Sequence, residues 1–170
     1  MFMPQVYGSW QEIQWEKYEQ IMKTLGRNFF AAMVAKRTLD IGSGSSYFER
    51  FLVSNEIDVK NVVSLDIRED YMKRVERENL VVGDGNALPF KDERFDVVLS
   101  IDTMHLVKGD DYRRVLKPGG LVFFAVFFTE GVYEERKSLL KNMLAGTDIL
   151  FEFEVHGQEK EYVIVARKKA

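Results

Sequence analysis

Apolar positions along the chain follow two rhythms. Trp15, Tyr18, Met22, Leu25 and Phe29 recur at three- and four-residue steps, which predicts a helix over about Trp10 to Phe30 with one apolar face. Ser9 followed by Glu12 has the form of a capping box and marks its expected start. Short apolar runs follow at Thr38–Ile41, Val62–Asp66, Leu80–Val82, Phe95–Ser100 and Leu121–Phe128. Glycines beside them (Gly42 and Gly44, Gly83 and Gly85, Gly119 and Gly120) punctuate these runs as strands and turns. Between the strands, Phe48, Phe51 and Leu52 fit a helix over about Ser45–Ser54. Met72 and Val75 face inward from a helix over Glu69–Arg77, and Asp110–Leu116 is a helix stopped by Pro118-Gly119-Gly120.

Strand and helix in alternation predict an α/β fold: a mostly parallel sheet with right-handed crossovers and helices on both faces. The run Leu121–Phe128 is apolar throughout, as a strand covered on both sides should be. The tail changes character. A helix over Glu130–Leu144 precedes Leu150–Val155, where Phe151, Phe153 and Val155 alternate with Glu152 and Glu154, the mark of one wet face. Gly157 and Gln158 leave room only for a short turn before Tyr162–Ala166, so these two strands must be antiparallel.

Composition narrows the function classes. With 170 residues, 46% of them apolar and 13 Phe among them, the chain has material for one domain core. The absence of cysteine excludes disulfides, thiolate metal sites and a cysteine nucleophile. Only His105 and His156 are present, far apart in sequence, so a histidine-based metal site is not expected. A net charge of −3 weighs against nucleic acid as a partner. The longest apolar run is far too short for a membrane span, and the first residues lack the pattern of a signal peptide; the expected location is the cytoplasm.

In an open parallel sheet, ligands bind beyond the carboxyl ends of the strands. Those ends carry Asp40-Ile41-Gly42-Ser43-Gly44, then Asp66, then Asp84-Gly85-Asn86, then Ser100-Ile101-Asp102-Thr103-Met104-His105. Taken singly, each is as readily a turn or a cap. Together they describe an adenosine-shaped pocket: glycines admit a ligand to the backbone, Asp66 is placed for ribose hydroxyls, and Asp84 for a base amino group. Tyr47 stands where a dinucleotide loop needs its third glycine, and no Lys follows the loop as in a P-loop. Asp40, inside the turn, suits a cationic ligand better than a pyrophosphate.

These segments resemble the class I S-adenosylmethionine-dependent methyltransferases, near the ubiquinone and menaquinone biosynthesis branch. The resemblance rests on Leu39-Asp40-Ile41-Gly42-Ser43-Gly44, Leu65-Asp66, Val82 to Phe90, Phe95 to Ser100, Met104-His105 and Leu116-Lys117-Pro118-Gly119-Gly120, in that order. It covers the chain from about Thr38 onward. It implies a Rossmann-like seven-stranded sheet with an antiparallel last strand, and S-adenosyl-L-methionine as cofactor. It implies that Asp40, Gly42 and Gly44 lie against the methionine part, Asp66 binds the ribose, Ile67 packs on the adenine, Asp84 with Gly85 meets its amino group, and Ser100 with Ile101 offers backbone to the methionine amine. The family often has a third glycine where this chain has Ser46, so an altered loop is expected.

Asp102 and His105 are weak candidates for a general base; each has an equally good structural role, as a helix cap or a packing residue. No Asn/Asp-Pro-Pro-aromatic segment follows the fourth strand, unlike the methyltransferases that act on exocyclic amines of DNA. Residues 1–36 form an expected helical lid and packing segment, with Tyr7, Trp10 and Trp15 as its aromatic surface, and residues 37–170 the cofactor-binding domain. A small-molecule acceptor is favoured, and a protein substrate or partner subunit is the alternative. A non-catalytic cofactor-binding subunit and a nicotinamide-dependent oxidoreductase are the rival readings.

Overall fold

The structure, a computed structural model, describes residues 4–170, with side chains from Trp10 onward. Helices α1 (Pro4–Leu25) and α2 (Arg27–Val34) come first. The sequence predicts one helix here, and Gly26 divides it: its φ of 89° and ψ of 146° lie outside helical space, at a position only glycine adopts without strain. Helix α1 starts at Pro4, so the Ser9–Glu12 pair lies inside the helix rather than at its cap.

The alternating part runs β1 (Thr38–Ile41), α3 (Tyr47–Ser54), β2 (Val62–Asp66), α4 (Glu69–Met72), β3 (Leu80–Val82), β4 (Phe95–Ile101), α5 (Tyr112–Val115) and β5 (Leu116–Phe128). A turn of 3-10 helix (Glu130–Val132) leads into α6 (Tyr133–Met143), β6 (Asp148–His156) and β7 (Lys160–Arg167). Helix α4 is shorter than its expected Glu69–Arg77. The chain turns after Met72, and the Arg77 guanidinium donates to the Val62 carbonyl at 3.2 Å and the Ser64 hydroxyl at 2.9 Å. Strand β5 is longer than expected, because Pro118, Gly119 and Gly120 join it instead of ending a helix beforehand.

The seven strands form one sheet in the order β3-β2-β1-β4-β5-β7-β6, parallel except for β7. The order reverses between β1 and β4, so their carboxyl ends open a crevice. Strand β5 carries the core on both faces. Val122, Phe124 and Val126 pack with Leu39, Ile41 and Tyr112 on one side, and Phe123 and Ala125 pack with Tyr18, Phe30 and Phe51 on the other. Strand β6 is the edge, and it is wetter than its alternation predicts: Val155 is buried but Phe151 is 46% exposed. Among the described residues no helix is long and apolar enough to cross a membrane.

Candidate active site

The crevice begins at the loop between β1 and α3. Gly42 turns with φ of 76°, and its N–H donates to the Leu65 carbonyl at 2.7 Å. A Cβ there would run into Thr103, whose hydroxyl donates to the Gly42 carbonyl at 3.2 Å, so glycine is what lets the β4 loop close on the β1 loop. Gly44 has φ of 55°, with open space where a side chain would go. Ser46 adopts a left-handed conformation, φ 55°, and its buried hydroxyl has no partner. A glycine would take that conformation without strain, so the substituted position is where the loop is under tension.

Asp66 ends β2 and faces this loop. One of its oxygens accepts the Gly44 N–H and the other the Arg68 N–H, each at 2.8 Å. A carboxylate offers about four lone-pair directions, so it can accept further hydroxyl donors from a ligand. Asp66 lines two adjoining cavities. The first, about 550 Å³, runs past Asp40, Gly42, Gly44, Tyr47, Ile101, Asp102 and Thr103, with Trp10, Gln14 and Tyr18 of α1 as its far wall. The second, about 390 Å³, holds Ile67, Asp84, Gly85 and Asn86 together with Val107. Ile67 is 66% exposed, an apolar side chain left uncovered beside it. Asp84 accepts from the Asn86 amide N–H at 2.8 Å and from its side chain at 2.9 Å, and these bonds hold its carboxyl below the usual range.

Asp40 is buried in the sheet, and burial together with the neighbouring Glu49 pushes its carboxyl well above the usual range. Ser100 is fully buried, and its hydroxyl ties β4 to β1 by donating to the Ile41 carbonyl at 2.7 Å; Ile101, not Ser100, lines the cavity. Asp102 also lines it. His105 does not: its ring stacks edge-on to Phe127, 5.8 Å away, and burial and the Arg136 charge lower its basicity.

Of the residues named from the sequence, Asp40, Gly42, Gly44, Asp66 and Asp102 share the first cavity, while Ile67, Asp84 and Gly85 share the second with Gly42 and Asp66. Thr103, just beyond the end of the fourth strand, also lines the first cavity, and Gln14, Tyr18 and Tyr71 join it from outside the strand ends. The signal for Gln14 and Tyr18 was a polar residue on the buried stripe of α1. Tyr7, counted among the lid aromatics, lies outside the described side chains. The residues present fit an adenosine carrying a charged amino-acid arm: an acidic acceptor for ribose, an uncovered apolar side chain for the base, and a carboxyl-lined end for an ammonium.

An open sheet of this order, with an adenosine-shaped crevice at its switch point, defines a nucleoside-cofactor-binding α/β domain. A family described as a methyltransferase domain matches residues 39–124, half of the chain. The protein belongs to this family of S-adenosylmethionine-dependent methyltransferase domains. Its curated relatives include human mitochondrial arginine-hydroxylase NDUFAF5, 31% identical over 110 residues that make up 59% of this chain and 31% of that one. A malonyl-[acyl-carrier protein] O-methyltransferase from Methylococcus capsulatus is 32% identical over 54% of this chain and 37% of its own. The chain spans 31–42% of the length of the first curated relatives it matches. Among solved structures, a SAM-dependent methyltransferase from Aquifex aeolicus superposes with a TM-score of 0.65 at 18% identity, covering 88% of each chain. A putative methyltransferase from Haloferax volcanii, solved in complex with a methyltransferase activator, gives 0.60 at 18% identity over 78% of this chain and 82% of that one. These likenesses establish the fold.

Proposed function

We propose that this protein transfers a methyl group from S-adenosylmethionine to a small-molecule acceptor. The observation that carries the reading is the joint placement of Asp40, Gly42, Gly44 and Asp66 on one cavity that continues past Ile67 and Asp84. When bound, the cofactor supplies a methyl group on a positively charged sulfur, activated for in-line displacement. Asp66 would hold the ribose, Ile67 cover the base, and Asp40 with the Gly42–Gly44 backbone face the amino-acid arm. The protein's remaining task is to align the acceptor and exclude water, and α1 stands where a cover is needed. Calorimetry should find S-adenosylmethionine and S-adenosylhomocysteine binding in the micromolar range. Tight NAD binding with no response to either would overturn the reading.

A partner-completed site is the second reading. It is favoured by the uncovered apolar side chains Ile149, Leu150 and Phe151 on edge strand β6, and by the Haloferax neighbour's complex with an activator. Methylation by the purified chain alone, at a rate that adding cell extract protein does not raise, would rule it out.

A further inference from the structure

Helix α1 turns Gln14, Lys17, Tyr18 and Ile21 inward, an ordinary buried stripe except for the ammonium in its middle. Lys17 is 2% exposed. Its Nζ pairs with Asp102, and Glu159 and Glu161 lie 3.4 and 3.5 Å away. The other Asp102 oxygen accepts the Phe127 N–H at 2.7 Å, and the Asp102 N–H donates to the Ala125 carbonyl at 2.9 Å. Asp102 has φ of 61°, a conformation that costs a non-glycine residue free energy and persists because α1 and β5 both fix it. Buried ion pairs contribute little net stability, since desolvation offsets the attraction. What this one achieves is placement: it sets a single carboxylate, 22% exposed, on the cavity wall near Trp10 and Tyr18.

The charge balance gives that wall its chemistry. Burial pushes the Glu161 carboxyl well above its usual range. Burial also works against the Lys17 charge, but Glu161, Asp102 and Glu159 outweigh it and hold the ammonium charged. Asp102, Glu159 and Glu161 thus set three carboxyl groups around one ammonium. Asp66 adds a second carboxyl to the same cavity, and among the described residues no Lys or Arg lines it. Lys17 and Arg50 lie over the Tyr18 and Tyr47 rings at 5.8 and 4.5 Å, and Trp10 is a further aromatic side chain on the cavity wall, of a kind that attracts cations.

We propose that the acceptor is a small amine and that Asp102 is the carboxylate that orients its nitrogen. This rests on the methyl-transfer reading above. The nitrogen lone pair forms the bond to the methyl carbon, the methyl–sulfur bond breaks, and its electron pair goes to sulfur. Positive charge passes from sulfur to nitrogen beside Asp102, where the carboxylate stabilises it. The ammonium product gives its proton to water. The acceptor reacts as the free base, so the rate rises with pH towards the amine's own pKa.

The test uses the full chain saturated with S-adenosylhomocysteine, and benzylamine and benzoate as probes of one shape and opposite charge. Calorimetry should show benzylammonium binding tighter than benzoate by about tenfold or more, the worth of one charge-assisted hydrogen bond. Asp102→Asn should erase the preference in a variant that still binds S-adenosylhomocysteine, with a lower melting temperature because the buried Lys17 loses a partner carboxylate. Benzoate binding as tightly as benzylamine, binding of neither probe, or a preference that survives in Asp102→Asn would overturn the proposal. Failure to bind S-adenosylhomocysteine at all would instead overturn the methyl-transfer reading.

Discussion

Asp66 uses both carboxylate oxygens to hold the loops it separates, Gly44 on one side and Arg68 on the other. Replacing it with Ala removes a ribose acceptor and loosens the glycine loop together. Asp66→Ala should weaken S-adenosylmethionine binding by about 2–3 kcal/mol, roughly 30- to 160-fold in Kd by calorimetry. Gly42→Ala fails for a different reason: the new methyl collides with Thr103 at a position of positive φ. It should lower the unfolding free energy by about 1–3 kcal/mol in a urea titration. Glu161 tests the buried charge cluster. Its folded pKa is raised, so its stabilising contribution is full below the unfolded carboxyl value, about 4.3, and is lost as pH rises through the folded value. Glu161→Gln has no proton to lose. Its denaturation midpoint should therefore gain on the parent's as pH increases from 5 to 9, and parallel curves would contradict the assignment. At this scale the loops that line the crevice were readable from sequence because their residues sit at strand ends in a fixed order. Lys17 was not: a charge on an amphipathic helix reads as solvent-facing until the end of β4 and the start of β7 bring Asp102, Glu159 and Glu161 to meet it.

Strands were the most legible elements, since β1, β2 and β3 are short apolar runs ended by the residues that turn the chain. Helix bounds were less so. Gly26 breaks a periodic apolar pattern that continues on both sides of it, because Phe29 and Phe30 still pack after the chain changes direction. The Glu69–Arg77 stretch has helical spacing, but the hydrogen bonds of Arg77 to the ends of β2 compete with further helix. Helix α1 combines two jobs that the sequence could not separate. Ile21 is a core residue and Tyr18 both packs in the core and lines the cavity, whereas Trp10 is 46% exposed and lines the cavity with Gln14. Trp10 and Gln14 therefore reach the cavity without belonging to the core. Deleting residues 1–14 should leave a cooperatively folded protein that binds S-adenosylhomocysteine several-fold more weakly, because Tyr18 and Ile21 keep the helix docked while Trp10 and Gln14 of the far wall are gone. Unchanged affinity in the truncated chain would make α1 a packing element alone.

For the whole molecule, the question is what the lean cover over the crevice admits. Between β5 and α6 there is only Thr129 and a single 3-10 turn, so no inserted element reaches over the cavity from that side. The enclosure comes from α1 and from the segment after β4, which Lys17 and Asp102 tie together. On the proposed methyl-transfer reading, a cavity of about 550 Å³ takes the amino-acid arm of the cofactor and the acceptor side by side. Pockets of that size bury most of a small ligand, whereas a side chain on a folded protein or a base in RNA would need an open groove beside the reacting centre. The net charge of −3 and the acidic lining also disfavour a phosphate backbone at this mouth. Incubating the protein with a cell extract and methyl-labelled S-adenosylmethionine, then separating small molecules, protein and RNA, should place the label in the small-molecule fraction. That product should be retained by a cation exchanger at acid pH and keep its label in mild alkali, as an N-methyl group does and a methyl ester does not. Label confined to protein or RNA would mean that the cover is open to a macromolecule, and that α1 moves aside to admit it.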